Sequence, residues 1–260
     1  MPYENVKLEI DEGIASVILN RPEKRNAFSH TMITEILHAL DEVENNQARV
    51  LILTGAGNAF CAGMDLQSLK NFRSKSDSEI VSDARLIARL FRRLYAFSKP
   101  TIAAVNGSAI AGGCGLATVC DFTLAVPDAK FGYTEVRVGF IPAIVSSYVV
   151  RQLGEKRARD LLLSGRIFGS TEAQSMGLVS EIHEPDKLLL HARELARSLA
   201  EMSPVALAHT KRLLLMFSEN EIDRETELAV EASAQVRKSA DFQEGLAAFL
   251  EKRKPLWRRE

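Results

Sequence analysis

Between Lys99-Pro100 and Asp121 the chain runs for 20 residues, Thr101 to Cys120, without one charged side chain. A run of that length without charge belongs in a lipid bilayer or in a protein core. Its make-up favours the core. It contains Gly107, Gly112, Gly113 and Gly115, the polar Asn106 and Ser108, two threonines and a single leucine. A β-branched start that runs into glycines and then into small residues reads as a buried strand, a turn and a buried helix. The first constraint on the fold is therefore a strand-turn-helix unit covered on all sides.

The rest of the chain can supply that cover. It has 260 residues, 46% of them hydrophobic and 26% charged, enough for one large domain or one domain with an appendage. This composition excludes a disordered chain, a collagen-like repeat and a disulfide scaffold. Thirty-three Lys and Arg against thirty-four Asp and Glu leave a formal charge of -1, which argues against a nucleic-acid partner. Three cysteines, Cys61, Cys114 and Cys120, suit a reducing compartment, and Met1 to Asn5 lack the basic start and apolar run of a signal peptide. A cytoplasmic protein with no membrane partner is expected.

Val6 to Ile10 and Ile14 to Asn20 flank Asp11-Glu12-Gly13 and read as a β-hairpin. Ser29 is placed to cap a helix with Met32, Ile33, Ile36, Leu37, Leu40 and Val43 on one face. Val50 to Leu53 is a short buried strand, and a helix before it suggests a crossover and a parallel sheet. Residues 70–83 are polar and are expected to form a mobile loop, followed by a helix to about Phe97. Strands are expected at Thr101 to Val105 and Phe122 to Val126, and helices near 143–153, 155–164 and 171–176. After Pro185 only helical patterns remain. The organisation expected is an α/β core over 1–185 and an all-helical C-terminal region over 186–260.

Four segments could carry chemistry. Gly55-Ala56-Gly57 begins like a dinucleotide fingerprint, but Phe60 occupies the third glycine's place, so it reads as a tight turn. Phe60 to Leu66 (FCAGMDL) combines small residues with a helix expected to start near Asp65, either a plain turn or an anion-holding one. Asn106 to Leu116 repeats the design, with Gly112 and Gly113 at a helix start; close packing explains it as well as ligand binding does. Two such turns in one domain suggest a pair of backbone N–H groups aimed at one oxyanion. The fourth, Phe131 to Pro142, sets Glu135 among Val136, Val138, Phe140 and Ile141. There a carboxyl has a raised pKa and can shuttle protons, or else it pairs with Arg137. The five histidines show no metal spacing, and no metal site is expected.

These pieces together resemble the crotonase family, the enoyl-CoA hydratases and isomerases. The resemblance is carried by NRPEKRNA at 20–27, AFCAGMDL at 59–66, KPTIAAVNGSAIAGGCGLATVCD at 99–121, AKFGYTEVRVGFIP at 129–142 and AFLEKRKP at 248–255. It implies a superhelical core of ββα units with a helical C-terminal region that covers the site and serves assembly into a homotrimer or hexamer. It implies an acyl-CoA thioester as substrate and no separate cofactor. On this likeness the thioester oxygen is held by the amides of Met64 and Gly112. Lys24, Ala27, Ala62, Gly63, Asp65 and Leu66 lie along the ligand, and basic residues of the C-terminal run could face its phosphates.

One departure stands out. Hydratases of this family commonly use two glutamates about twenty residues apart. The second matches Glu135; the first falls on Gly115, which has no side chain. A double-bond shift by Glu135 alone is easy to draw, and hydration by one carboxylate requires it to serve both water and carbon. The expected function is an enoyl-CoA hydratase or isomerase with a single catalytic glutamate. The alternatives are an acyl-CoA-binding homologue without turnover and a thioester hydrolase.

Overall fold

The protein is described here by a computed structural model, over residues 3–65 and 75–257. The chain opens with the hairpin β1 (Val6–Asp11) and β2 (Ile14–Leu19), paired antiparallel. Glu12 and Gly13 both take positive φ, 49° and 75°, as a two-residue hairpin turn with right-twisted strands requires. Helix α1 (His30–Glu44) follows, its first turn closed by Met32 N–H donating to Ser29 Oγ at 3.1 Å. It buries the stripe expected of it, Met32, Ile33, Ile36, Leu37, Leu40 and Val43.

Three successive units then each give one strand to each of two sheets. They are β3 (Val50–Gly55) with β4 (Ala59–Cys61), β5 (Thr101–Val105) with β6 (Ser108–Ile110), and β7 (Phe122–Ala125) with β8 (Lys130–Gly132). The larger sheet has the order β1-β2-β3-β5-β7-β10 and is parallel beyond the hairpin. The smaller has the order β4-β6-β8-β9. Strands β9 (Phe168–Gly169) and β10 (Glu181–Ile182) complete them. Helices α2 (Asp77–Tyr95) and α3 (Gly112–Val119) close the first two units. The uncharged run Thr101–Cys120 is thus β5, β6 and α3, a core element. Among the described residues no helix is long and apolar enough to cross a membrane.

The polar stretch 70–83 differs from its expectation. Residues up to 74 lie outside those described, but from Asp77 onward the chain is helix. A reciprocal cap drives this: Glu79 N–H donates to Ser76 Oγ, and Ser76 N–H donates to Glu79 Oε2 at 2.7 Å. Ser76 to Glu79 and Ser82 are exposed while Ile80 and Ala84 are buried. Helices α4 (Ala143–Leu153), α5 (Glu155–Ser164) and α6 (Ser170–Ser175) follow, then α7 (Leu188–Ala200), α8 (Pro204–Met216), α9 (Glu219–Val236) and α10 (Ala240–Leu250). Asp121 ties this region to the core. It accepts from Thr101 N–H at 2.7 Å and Thr101 Oγ1 at 2.9 Å, and pairs with Lys211 of α8.

The two sheets meet through bare backbone. A Cβ on Gly113 would overlap the Cys61 carbonyl oxygen, a backbone atom with no freedom to retreat. Gly113→Ala should therefore force α3 away from β4. Overpacking of this kind costs about 2–3 kcal/mol, and a thermal melt should show the midpoint lowered by roughly 5 °C.

Candidate active site

The segment 20–28 is folded back on itself by Asn26. Fully buried and left-handed at φ 54°, Asn26 accepts from Arg21 N–H at 2.9 Å and donates to the carbonyls of Ala56 (2.9 Å) and Ala59 (2.8 Å). Asparagine tolerates this backbone better than most residues. The turn delivers Arg25 to Phe28 alongside residues 62–65. Ala62 N–H donates to Arg25 O at 3.0 Å, Phe28 N–H to Gly63 O at 2.7 Å, and Asp65 N–H to Phe28 O at 2.9 Å. In a parallel bridge of this kind the residue between the bonded ones turns its own N–H the other way. Phe28 bridges Met64, so the Met64 amide points away from Phe28, and it donates to no described residue.

Helix α3 brings the second amide. Gly112 is its first residue, so its N–H has no partner within the helix. Ala111 before it is held at φ 52°, ψ −124°, a costly backbone for a residue with a Cβ. Gly63, at φ +81°, packs directly on this turn. A Cβ there would stand 2.9 Å from Ile110 O and 3.2 Å from Gly112 N. Met64, Ala62 and Gly112 line one cavity of about 540 Å³.

Glu135 opens onto the same cavity from a 3-10 turn, Glu135–Val138, between β8 and α4. The turn is anchored by buried Tyr133, whose hydroxyl lies 2.6 Å from Thr118 Oγ1 of α3. It ends at Gly139, left-handed at φ +67°. Among the described residues Glu135 makes no ion pair, with Arg137 or any other. Its Oε2 is buried without a hydrogen-bond partner. Burial pushes its pKa up to about 7, and a bond from its own backbone amide is the only opposing influence.

The space beyond Gly115 is taken. A Cβ on Gly115 would overlap Val145 Cγ1 and come within 2.7 Å of Phe91 Cε1. Both side chains line the cavity, with Ile87, Ile141 and Ile144 beside them. The apolar wall therefore fills the place from which a second carboxyl would project.

The other expected ligand contacts are spread more widely. Lys24 is exposed and stands next to Arg25, which lines the cavity while Lys24 does not. Ala27 is buried, its carbonyl accepting from Arg21 Nη1 at 2.6 Å. Asp65 pairs with Arg21 at 3.2 Å. Leu66, and the helix expected to open near Asp65, fall outside the described residues. In the C-terminal run, Arg253 lines the cavity but is bound to Glu244 (2.9 Å) and Glu251 (2.6 Å), and Arg258 and Arg259 lie outside the described residues. Sequence reasoning missed Arg25, Arg137 and Arg237 and the α10 residues Phe242, Gly245 and Phe249, all on the cavity wall. Arg25, Arg137 and Phe249 lie inside the quoted motifs without having been singled out as site residues, whereas Arg237, Phe242 and Gly245 lie in none of them.

The Enoyl-CoA hydratase/isomerase family profile matches residues 9–260. The chain belongs to this family. A Thermus thermophilus protein with a provisional enoyl-CoA hydratase name is 44% identical over 250 residues, 95% of this chain and 99% of its own length. The crotonyl-CoA hydratase of Syntrophomonas wolfei is 35% identical over 98% of both chains. The crystal structure of an enoyl-CoA hydratase/isomerase from Xanthobacter autotrophicus Py2 superposes with a TM-score of 0.89 at 31% identity, covering 96% of this chain and 97% of that one. The fold is thus the crotonase fold expected from the motifs, and the protein is an enzyme of this family.

Glu135 has a consequence for stability. Its folded pKa stands above its ordinary value of 4.5, so the folded state holds the proton longer than the unfolded chain. Wild-type stability should therefore fall as pH rises from about 4.5 through about 7. Glu135→Gln lacks that loss. In denaturant titrations the variant should gain on wild type between pH 5 and pH 8, and a constant difference would refute the raised pKa.

Proposed function

We propose that this enzyme hydrates 2-enoyl-CoA thioesters through a thioester enolate, with Glu135 as its sole acid/base residue. The observation that carries the reading is the cavity itself: it is lined by Met64 and Gly112, whose amides donate to no described residue outside their own elements, and by Glu135, whose Oε2 is buried without a hydrogen-bond partner. The amides hold the thioester carbonyl oxygen. As water adds to the β-carbon, negative charge moves onto that oxygen, where the two donors bind it more tightly than the neutral carbonyl. Glu135 takes the proton from the attacking water and passes it to the α-carbon as the enolate collapses. Oxygen and hydrogen then add to the same face. No cofactor is required by this chemistry.

A second reading is supported by the filled space at Gly115. With Phe91 and Val145 there, no carboxyl projects from position 115 to orient water. The same Glu135 would then remove a proton from the α-carbon of a 3-enoyl thioester and return it at the γ-carbon. A panel of 2-enoyl and 3-enoyl CoA thioesters, followed for both hydration and double-bond migration, separates the two. Glu135→Gln should lower turnover at least about 10²-fold on whichever substrate is active, with thioester affinity kept within a few-fold. In wild type, activity should rise with pH through a midpoint near 7, because the base form of Glu135 starts either reaction. Unchanged turnover in the variant would remove Glu135 from the mechanism.

The assembly proposed is a homotrimer or hexamer. Support comes from α8 and the turn after it, which expose Leu213, Leu214, Met216 and Phe217. Light scattering of the purified protein should give three or six times the 28.7 kDa of one chain.

A further inference from the structure

The Glu135 carboxyl has no other side chain to aim it. Its Oε2 is buried without a partner, and the one hydrogen bond that acts on the carboxyl comes from its own backbone amide. Its aim is therefore set by the 3-10 turn that carries it. α10 packs on the far end of that turn, where Gly139 lies against Asp241 O and Gly245 against Val138 O. The near end, next to Glu135, is held differently. β8 ends at Gly132, whose carbonyl accepts from the N–H of Ala111 at 2.7 Å, one residue before the Gly112 amide. The next side chain, Tyr133, reaches the same helix α3 further along, at Thr118.

The direction of that contact follows from the hydrogens available. Thr118 Oγ1 donates to Cys114 O at 2.8 Å, which uses its one hydrogen. In the 2.6 Å contact between the two hydroxyls, Tyr133 is therefore the donor and Thr118 the acceptor. Both residues are buried, Tyr133 fully. The Cys114 thiol lies beside the Tyr133 hydroxyl, and burial keeps it protonated by pushing its pKa up to about 12. Burial keeps Tyr133 neutral in the same way. The network is thus a chain of neutral groups running from the start of the Glu135 turn into the body of α3. The Gly132–Ala111 bond fastens the same segment to the N-cap of that helix. One attachment would leave a hinge, whereas two along one helix fix the tilt of the turn.

We propose that Tyr133 is a positioning residue: its hydroxyl locks the Glu135 turn to α3, so that the acid/base carboxyl and the Gly112 amide keep one fixed spacing across the substrate. The proposal rests on the reading of Glu135 as the acid/base residue. Tyr133→Phe tests it, because the substitution keeps the ring, removes the bond and deletes no charge. Arg25, Arg137, Arg237 and Arg253, the cations on the cavity wall, are unaltered by it. A change in the Glu135 titration of this variant therefore reports geometry and burial, not a lost charge. On whichever enoyl-CoA the wild type turns over, kcat should fall about tenfold or more, with KM kept within about twofold. The midpoint of the pH–kcat profile should drop below the wild-type value by about half a unit or more, because a loosened turn lets water reach the carboxyl. Thr118→Val removes the acceptor from the helix side and should reproduce both changes. Thr118→Ser keeps a hydroxyl there and should hold both near wild type. A folded Tyr133→Phe or Thr118→Val with unchanged kcat overturns the proposal. So does a lower kcat with the midpoint unmoved, the mark of a merely structural role. Glu135→Gln is measured beside them. Full turnover in that variant sinks the reading of Glu135 and the proposal with it, whereas loss there beside an unaffected Tyr133→Phe removes the proposal alone.

Discussion

Everything in this site depends on how closely two loops approach through backbone alone. Gly63 lies against Ala111 and Gly112, and Gly113 lies against the Cys61 carbonyl, at separations that admit no side chain. The contact costs conformational freedom at Gly63 and strain at Ala111. What it achieves is placement. Met64 and Gly112, from separate ββα units, come to line one cavity. A fixed amide undergoes no reorganisation as charge develops, whereas water or a flexible donor must reorient. Both sheets, the hairpin and the Asn26 turn can be read as the framework that holds this contact in register.

Much of this was legible because it is local. Alternation in Val6 to Leu19, the Ser29 cap and the one-sided stripe after it each act over a few residues and point to the same element. The glycine clusters at 55–63 and 107–115 were legible as places where backbone comes close. Which backbone they meet was not, because the partner of Gly113 is Cys61, about fifty positions earlier in the chain. The polar run 70–83 misled by composition. A reciprocal cap between Ser76 and Glu79 and only two buried positions in the next turns suffice to start α2. Polarity there reports the exposed face of a helix, not the absence of one.

The cavity's far wall was illegible for the same reason. Phe242 and Gly245 reach the site because α10 packs on the 3-10 turn that carries Glu135. A Cβ on Gly245 would overlap Val138 O, and one on Gly139 would stand 2.5 Å from Asp241 O. Those contacts join segments about one hundred residues apart, and no periodicity in either segment announces the other. Glu135 was recognisable from its apolar neighbours in sequence. Its buried, unpartnered Oε2 depends on Tyr133 and Thr118 holding the turn, which only the folded chain displays.

A single carboxyl in such a wall sets a demand on its own proton affinity. With Phe91 and Val145 where another carboxyl would project, the proton removed in one half of the proposed reaction must be returned in the other by the same group. An ordinary surface carboxylate, with its pKa near 4.5, would take a proton poorly from water or carbon. One far above neutrality would be protonated before substrate arrived. A value of about 7 keeps both forms populated at working pH, and it follows from burial that a single bond from the residue's own backbone amide does not offset. An added hydrogen bond to Oε2, or an arginine brought beside it, would favour the ionised carboxylate and weaken it as a base. The apolar surroundings of Glu135 are therefore part of the proposed chemistry as much as the carboxyl is, and the raised pKa is the physical link between them.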